Sequence, residues 1–233
     1  MNLKILGTRG EIEPSARYHS NHSGIILDQT ILLDCGEKKF LEQLPDYILI
    51  THLHPDHAFF VRDPQEPTSI ATPIYAPEIF HGNTKVIPFN HPIQLGSYLV
   101  TPIPTIHSHR VASQAYLITK DNKKILYTGD MIWIEKKYHA LLANLDLVVT
   151  EASFIDQGGF IKKHPVSGKL FGHTGIPNLI RFFQPFTQHL VLVHFGSWFY
   201  QDIQLARKKI KALSKQSNIN ITVGYDGLEI PVI

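Results

Sequence analysis

Cysteine is nearly missing from this sequence: Cys35 is the only one in 233 residues. A single thiol excludes an internal disulfide framework and a separate Cys-rich structural zinc site, and it fits a reducing compartment. Surplus charge is missing too. Twenty-two Lys and Arg against 20 Asp and Glu leave a formal net charge of +2, too slight to argue for nucleic acid by itself. The basic clusters at Lys123-Lys124, Lys136-Lys137, Lys162-Lys163 and Arg207-Lys208-Lys209 with Lys211 read as solvated helix faces and turn tips. No apolar run approaches the ~20 residues that span a bilayer, so no membrane association is expected. The opening residues, Met1 to Leu6, become a strand and lack the build of a signal peptide. These absences together predict a cytoplasmic protein. No linker or composition shift divides the chain, so residues 1–233 read as one domain whose 43% hydrophobic content supports one sizeable core.

Histidine is in excess, with 14, and its placement is informative. In Thr51-His52-Leu53-His54-Pro55-Asp56-His57 four metal-competent side chains fall within six residues. They follow Tyr47-Ile48-Leu49-Ile50, an apolar run that reads as a buried strand. Extended backbone alternates sides, so His52, His54 and Asp56 are expected to point one way. His57 then leads into a helical start at Ala58-Phe59-Phe60-Val61. Paired imidazoles followed by a carboxylate and a third imidazole suit two adjacent cations better than one. The competing reading is a solvated His-rich turn, which explains single histidines better than this spacing.

Along the chain, strands are expected at 3–6, 23–27, 30–33, 47–50, 85–89, 98–101, 102–107, 114–120, 124–127, 146–150, 190–193, 220–223 and 228–232. Helices are expected at 37–44, 132–143, from His173 onward, and at 200–215. Residues 63–77, rich in proline, read as a loop around a short strand, and 152–172 as a functional loop. Strand, helix, strand and then a site past the strand's carboxyl end make an α/β (α+β) arrangement. Polar residues recur at one place, just after a strand: Asp34, His52 onward, His107, Asp130, Glu151 and His194. Six such positions suggest one rim of a sheet pair with converging side chains.

His52-x-His54-x-Asp56-His57, His107, Asp130 in Tyr-Thr-Gly-Asp, and His194 resemble the ligand set of the metallo-β-lactamase superfamily. The resemblance covers nearly the whole chain, from Leu6-Gly7-Thr8 onward. It implies a four-layer αββα sandwich with a dinuclear site at one edge. It assigns His52, His54 and His107 to one metal, and Asp56, His57 and His194 to the other, with Asp130 bridging. Asp56 thereby counts among the reacting groups as well as the ligands. Two cations ~3.5–4 Å apart make hydroxide available near neutral pH. Asp34 reads as the carboxylate that orients a ligand imidazole through its other nitrogen, or else as a turn cap. Zinc suits this donor set, with manganese and iron open.

Glu151-Ala152-Ser153-Phe154, Gly172-His173-Thr174 and His194-Phe195-Gly196 are similar to motifs of the tRNase Z and phosphodiesterase branch. There the histidine corresponding to His173 gives a proton to the leaving oxygen and the glutamate, here Glu151, positions it. Such help contributes roughly 10²–10⁴ in rate. Only 22 residues separate His107 from Asp130, leaving no room for the tRNA-gripping arm of the usual tRNase Z, so tRNA is not the expected partner. Asp130 stands where the β-lactamases use cysteine, which argues against a lactamase reading. The expected substrate is a small-molecule or nucleotide phosphodiester; the resemblance also implies a homodimer. His22, His109, Arg9 and Arg17 are candidates to contact it. His81, His91, His139 and His189 read as surface or core histidines. The rival readings are a lactone or thioester hydrolase of the same fold, and a metal-binding module without catalysis.

Overall fold

The apolar runs are continuous rather than alternating, as strands covered on both faces require. The computed structural model, which describes residues 1–66 and 70–232, covers them in that way. In chain order the strands are β1 (Asn2–Gly7), β2 (Gly24–Leu27), β3 (Ile31–Leu33), β4 (Tyr47–Leu49), β5 (Ile74–Ala76), β6 (Ile87–Pro88), β7 (Ile93–Leu95), β8 (Tyr98–Ile106), β9 (Gln114–Lys120), β10 (Lys123–Tyr127), β11 (Trp133–Ile134), β12 (Leu147–Ala152), β13 (Phe160–Lys163), β14 (Leu170–His173), β15 (His189–Phe195), β16 (Asn220–Val223) and β17 (Glu229–Pro231). The α-helices are α1 (Ile176–Phe183), α2 (Ser197–Gln201) and α3 (Ile203–Ser217). One sheet runs β17-β1-β2-β3-β4-β5-β6. The other runs β11-β8-β9-β10-β12-β15-β16, with β7 on β8.

Alternation along each strand divides the apolar residues between layers. Leu33 and Leu49 from one sheet meet Val149, Val191 and Val193 from the other in the central core. Leu32, Ile48 and Ile50 face outward onto Phe40, Phe59 and Phe60. Val148, Leu190 and Leu192 face outward onto Leu179, Phe183, Phe199 and Ile210 of the three helices. The result is the expected four-layer αββα sandwich.

Several local expectations need correction. Residues Lys38–Gln43 and Lys136–Leu142 are 3₁₀ rather than α-helical, and only Phe59–Val61 is helical after His57. Short amphipathic stretches do not distinguish the two helix types by pattern. The stretch 98–106 is one strand despite Pro102 and Pro104. The Thr105 N–H donates to Ser113 O on the β9 side, so the two proline nitrogens face the opposite edge. There β7 pairs only with 98–100 and β11 only with 105–106, and no ladder bond is lost. The helix expected at 200–215 begins after Asp202, whose carboxylate caps the Leu205 N–H at 2.9 Å. The proposed loop 152–172 contains the hairpin β13–β14. Of the proline-rich stretch, β5 is the short strand, and residues 67–69 lie outside the described residues.

Strands β3 and β4 are parallel, as are β10, β12 and β15. Their carboxyl ends therefore share an edge, and the rim residues lie along it.

Candidate metal centre

Strand β4 delivers the histidine motif to this rim, but not by simple alternation. The His57 and Ala58 N–H groups both donate to His54 O, at 3.0 and 2.9 Å. That turn swings Asp56 and His57 away from His52 and His54. His52 Nε2 lies 2.9 Å from His54 Nδ1, and His107 Nε2 lies 3.4 Å from the same atom. These three form one donor group. Asp56, His57, Asp130 and His194 form a second, with Asp56 Oδ2 2.9 Å from His194 Nε2. The expectation that Asp56 shares a side with His52 and His54 is thus overturned by the turn.

Asp130 faces both groups. Its Oδ1 is 3.4 Å from His57 Nε2 and 3.3 Å from His194 Nδ1, while Oδ2 is 3.7 Å from Nε2 of both His52 and His107. Gly129, just before it, has φ +56°, and an added Cβ there would run into Thr51. Only glycine fits where Thr-Gly-Asp turns against the histidine motif.

Burial, then the neighbouring imidazoles, hold His52 well below the usual histidine range. Burial likewise lowers His107, and lowers His54 to about 4. Their rings are neutral at pH 7 and their lone pairs free to bind. The second group is the reverse. Burial opposes charge on His57, yet the carboxylates of Asp130, Asp56 and Asp34 outweigh it and hold the ring well above its ordinary value. Burial also opposes charge on Asp130, where His194 and His57 prevail and keep the carboxyl well below its usual range.

The donors fit two divalent cations. Among the described residues, His57 Nε2 and Asp130 Oδ1 are buried side-chain atoms without a hydrogen-bond partner, which is costly unless something else binds them. Neutral imidazoles and carboxylates are the ligands zinc takes.

Further hydrogen bonds hold these donor side chains in place. Asp34, fully buried with φ +57°, accepts from His57 Nδ1 at 2.7 Å, Tyr127 Oη at 2.7 Å and Thr51 N at 2.7 Å. It both orients an imidazole and caps the motif's first amide. His107 Nδ1 donates to Gly172 O at 3.0 Å. Ser153 Oγ lies 3.0 Å from His194 Nδ1 and 3.2 Å from His173 Nδ1. Left-handed backbone at Asp34 and at His194 (φ +52°) stores strain of about 1–3 kcal/mol each. Thr51, Tyr127 and Ser153 were not foreseen from sequence. All three stand in or beside the motifs, Thr51 before the histidine run, Tyr127 in Tyr-Thr-Gly-Asp and Ser153 two residues after Glu151, but a hydroxyl at such a place does not announce its partner.

His173 ends β14, beside the cluster. Its Nδ1 is 2.8 Å from Glu151 Oε2, and Glu151 Oε1 accepts the Met131 N–H at 2.7 Å. Burial disfavours charge on His173, but Glu151 and Asp130 raise it to about 9. Asp130, Glu151, His173 and His194 also have donor atoms close enough for a cation. Both Glu151 oxygens are already bonded, however, which suits a positioning group better than a ligand.

A cavity of about 560 Å³ opens over the cluster, lined among others by His54, Asp130, Ser153, His173 and His194. Of the expected substrate contacts, His109 lines it. The other three do not. Arg9 is spent on Ser20 O, Ile12 O and the ring of His22, at 2.9, 2.6 and 2.9 Å. His22 is buried beneath it, and Arg17 is exposed over the Tyr18 ring.

The sequence model of the beta-lactamase superfamily domain matches residues 29–195. No curated protein matches. Among solved structures, the metallo-beta-lactamase fold protein YhfI from Bacillus subtilis is similar at 20% identity and TM-score 0.71 over 98% of both chains. A diphosphatase from the PhnP family is similar at 17% and 0.66, over 98% of this chain and 96% of the other. Human tRNase Z, short form, is similar at 18% and 0.65 over 100% of both. At these identities the likeness establishes the fold.

Proposed function

Since this chain belongs to the metallo-β-lactamase superfamily, we propose that it is a dinuclear metal-dependent hydrolase acting on a small phosphodiester. His52, His54 and His107 would hold one cation, and Asp56, His57 and His194 the other, with Asp130 facing both. When bound, the cations supply Lewis acidity and water activated for attack near neutral pH.

The observation that carries the phosphodiester reading is the His173–Glu151 pair. An alkoxide leaves poorly, so cleavage of its P–O bond needs an acid within reach. Glu151 takes the Nδ1 side of the ring at 2.8 Å, which leaves Nε2 as the atom that protonates the leaving oxygen. The remaining exposure of the side chain, 22%, opens onto the cavity. Asp34 and Ser153 keep His57 and His194 in place. Between His107 and Asp130 the chain forms only β9 and β10, in keeping with a small substrate.

Hydrolysis of bis(p-nitrophenyl) phosphate by zinc- or manganese-loaded protein, with a chelated sample beside it, tests the reading. Chelator-sensitive turnover is expected. On a diester with an unactivated alcohol, His173→Ala should keep both metals and lose roughly 10²–10⁴ in kcat. No diester turnover with two metals bound would move the reading to lactones and thioesters, whose leaving groups need His173 less.

A further inference from the structure

One wall of the cavity is built from rings. Hairpin β13–β14 carries His173, and its register sets Phe160 directly opposite His173 and Lys162 opposite Phe171. Opposed residues of an antiparallel pair share a face, as do residues two apart. Phe160, Phe171 and His173 therefore form one side-chain row, and all three line the cavity. Ile161 and Leu170 take the other face, bordering a separate cavity with Trp133 and Phe182.

Phe160 is 41% exposed, the only exposed phenylalanine among the described residues. Across from it the Phe154 ring lies nearly parallel at 6.1 Å. Phe171 packs against His109 at 4.5 Å. An exposed ring beside a reacting centre is where a ligand gains most from stacking. The lining also offers a cation not spent on a lining carboxylate. Glu11 is tied by Arg62 at 2.9 and 2.7 Å, and the exposed Arg110 lines the same cavity.

We infer that the substrate is a phosphodiester whose leaving alcohol carries a planar aromatic ring, stacked against Phe160 and Phe171. The oxygen that takes a proton from His173 must lie beside it, and whatever extends from that oxygen along the hairpin meets its cross-strand neighbour Phe160. Water adds to phosphorus and the P–O bond to this alcohol breaks. The leaving oxygen takes the His173 proton, which the attacking water replaces, and the products are a ring-bearing alcohol and a phosphate monoester. A nucleobase is the commonest such ring on a biological phosphodiester. This inference rests on the phosphodiesterase reading, but its test separates the two.

Adenosine 5′-methyl phosphate has two P–O bonds to alcohols of similar leaving ability. The expected products are adenosine and methyl phosphate; adenosine monophosphate and methanol would overturn the assignment of the leaving side. Independently of turnover, calorimetry on metal-loaded protein should find adenosine monophosphate bound about tenfold tighter than ribose 5-phosphate, a stacking effect. Phe160→Ala and Phe171→Ala should each erase most of that advantage at unchanged metal content, and Phe160→Leu should keep part of it. Equal affinities in the wild type would sink the aromatic subsite. If bis(p-nitrophenyl) phosphate is cleaved without any ring preference, only this inference fails. If the ring preference holds without diester cleavage, the phosphodiesterase reading fails and the subsite stands.

Discussion

The two donor groups share one cavity floor, yet they are built on opposite electrostatics. His52, His54 and His107 are all lowered by burial first and by neighbouring imidazoles second. Asp56, His57, Asp130 and His194 lean toward their charged forms, with His57 and His194 raised and both carboxyls lowered against the pull of burial. The first group offers three nitrogen lone pairs at no proton cost. In the second, the raised His57 and His194 hold protons to higher pH, and a cation has to displace them to use those nitrogens. The difference teaches that two sites sharing one aspartate need not bind alike: cation loading at the second group should fall more steeply as pH is lowered.

Removing the shared residue breaks the comparison outright. Asp130→Ala leaves both groups without the carboxylate that would offset their cations, since Oδ1 and Oδ2 face one group each. Metal analysis after dialysis should show both cations lost and activity at background. Retention of one full equivalent would mean that Asp130 serves only one group.

A milder change should act on one side alone. Asp34→Asn keeps the shape but removes a charge that three donors share, including His57 Nδ1. Chelator competition should show the second group's cation weakened roughly 10–100-fold, and the three-histidine group unchanged. Equal weakening of both would show that Asp34 supports the rim as a whole rather than His57.

How much of this was legible follows from the same contrast between regions. The rim was readable because histidines and aspartates straight after buried apolar strands have few structural reasons to be there. Which side chain joins which group was not readable from the motif alone, since the turn at His54–His57 is set by backbone bonds that no residue type announces. The hairpin β13–β14 escaped because β13 is exposed throughout and the one buried residue of β14 is Gly172, so neither face is marked by a period of apolar residues. Thr51, Tyr127 and Ser153 are ordinary hydroxyls whose roles depend on what folds against them. The short 3₁₀ segments read as helices because only hydrogen bonding separates the two.

His19 sharpens the comparison at the smallest scale, because burial lowers it as it lowers His52, but no donor group is involved. Its Nδ1 donates to Thr8 Oγ1 at 3.0 Å, since the Thr8 hydroxyl is itself donated to Asp226 at 2.9 Å, and its Nε2 accepts from Arg207 at 3.2 Å. A proton on Nε2 would face that guanidinium. Burial first and Arg207 second hold the ring down, to about 4. The unfolded chain then binds more protons than the folded one between pH 6.5 and 4, so stability falls as pH drops through that window. One group sets a slope of at most about 1.4 kcal/mol per pH unit. His19→Gln, whose amide oxygen can still accept from Arg207, should remove that component. Urea midpoints of wild type and variant, compared at pH 7 and pH 4.5, isolate it, because metal loss at low pH is common to both. A difference that stays constant between the two pH values would show that folded His19 takes up its proton as the unfolded chain does, and that burial and Arg207 together do not keep it neutral.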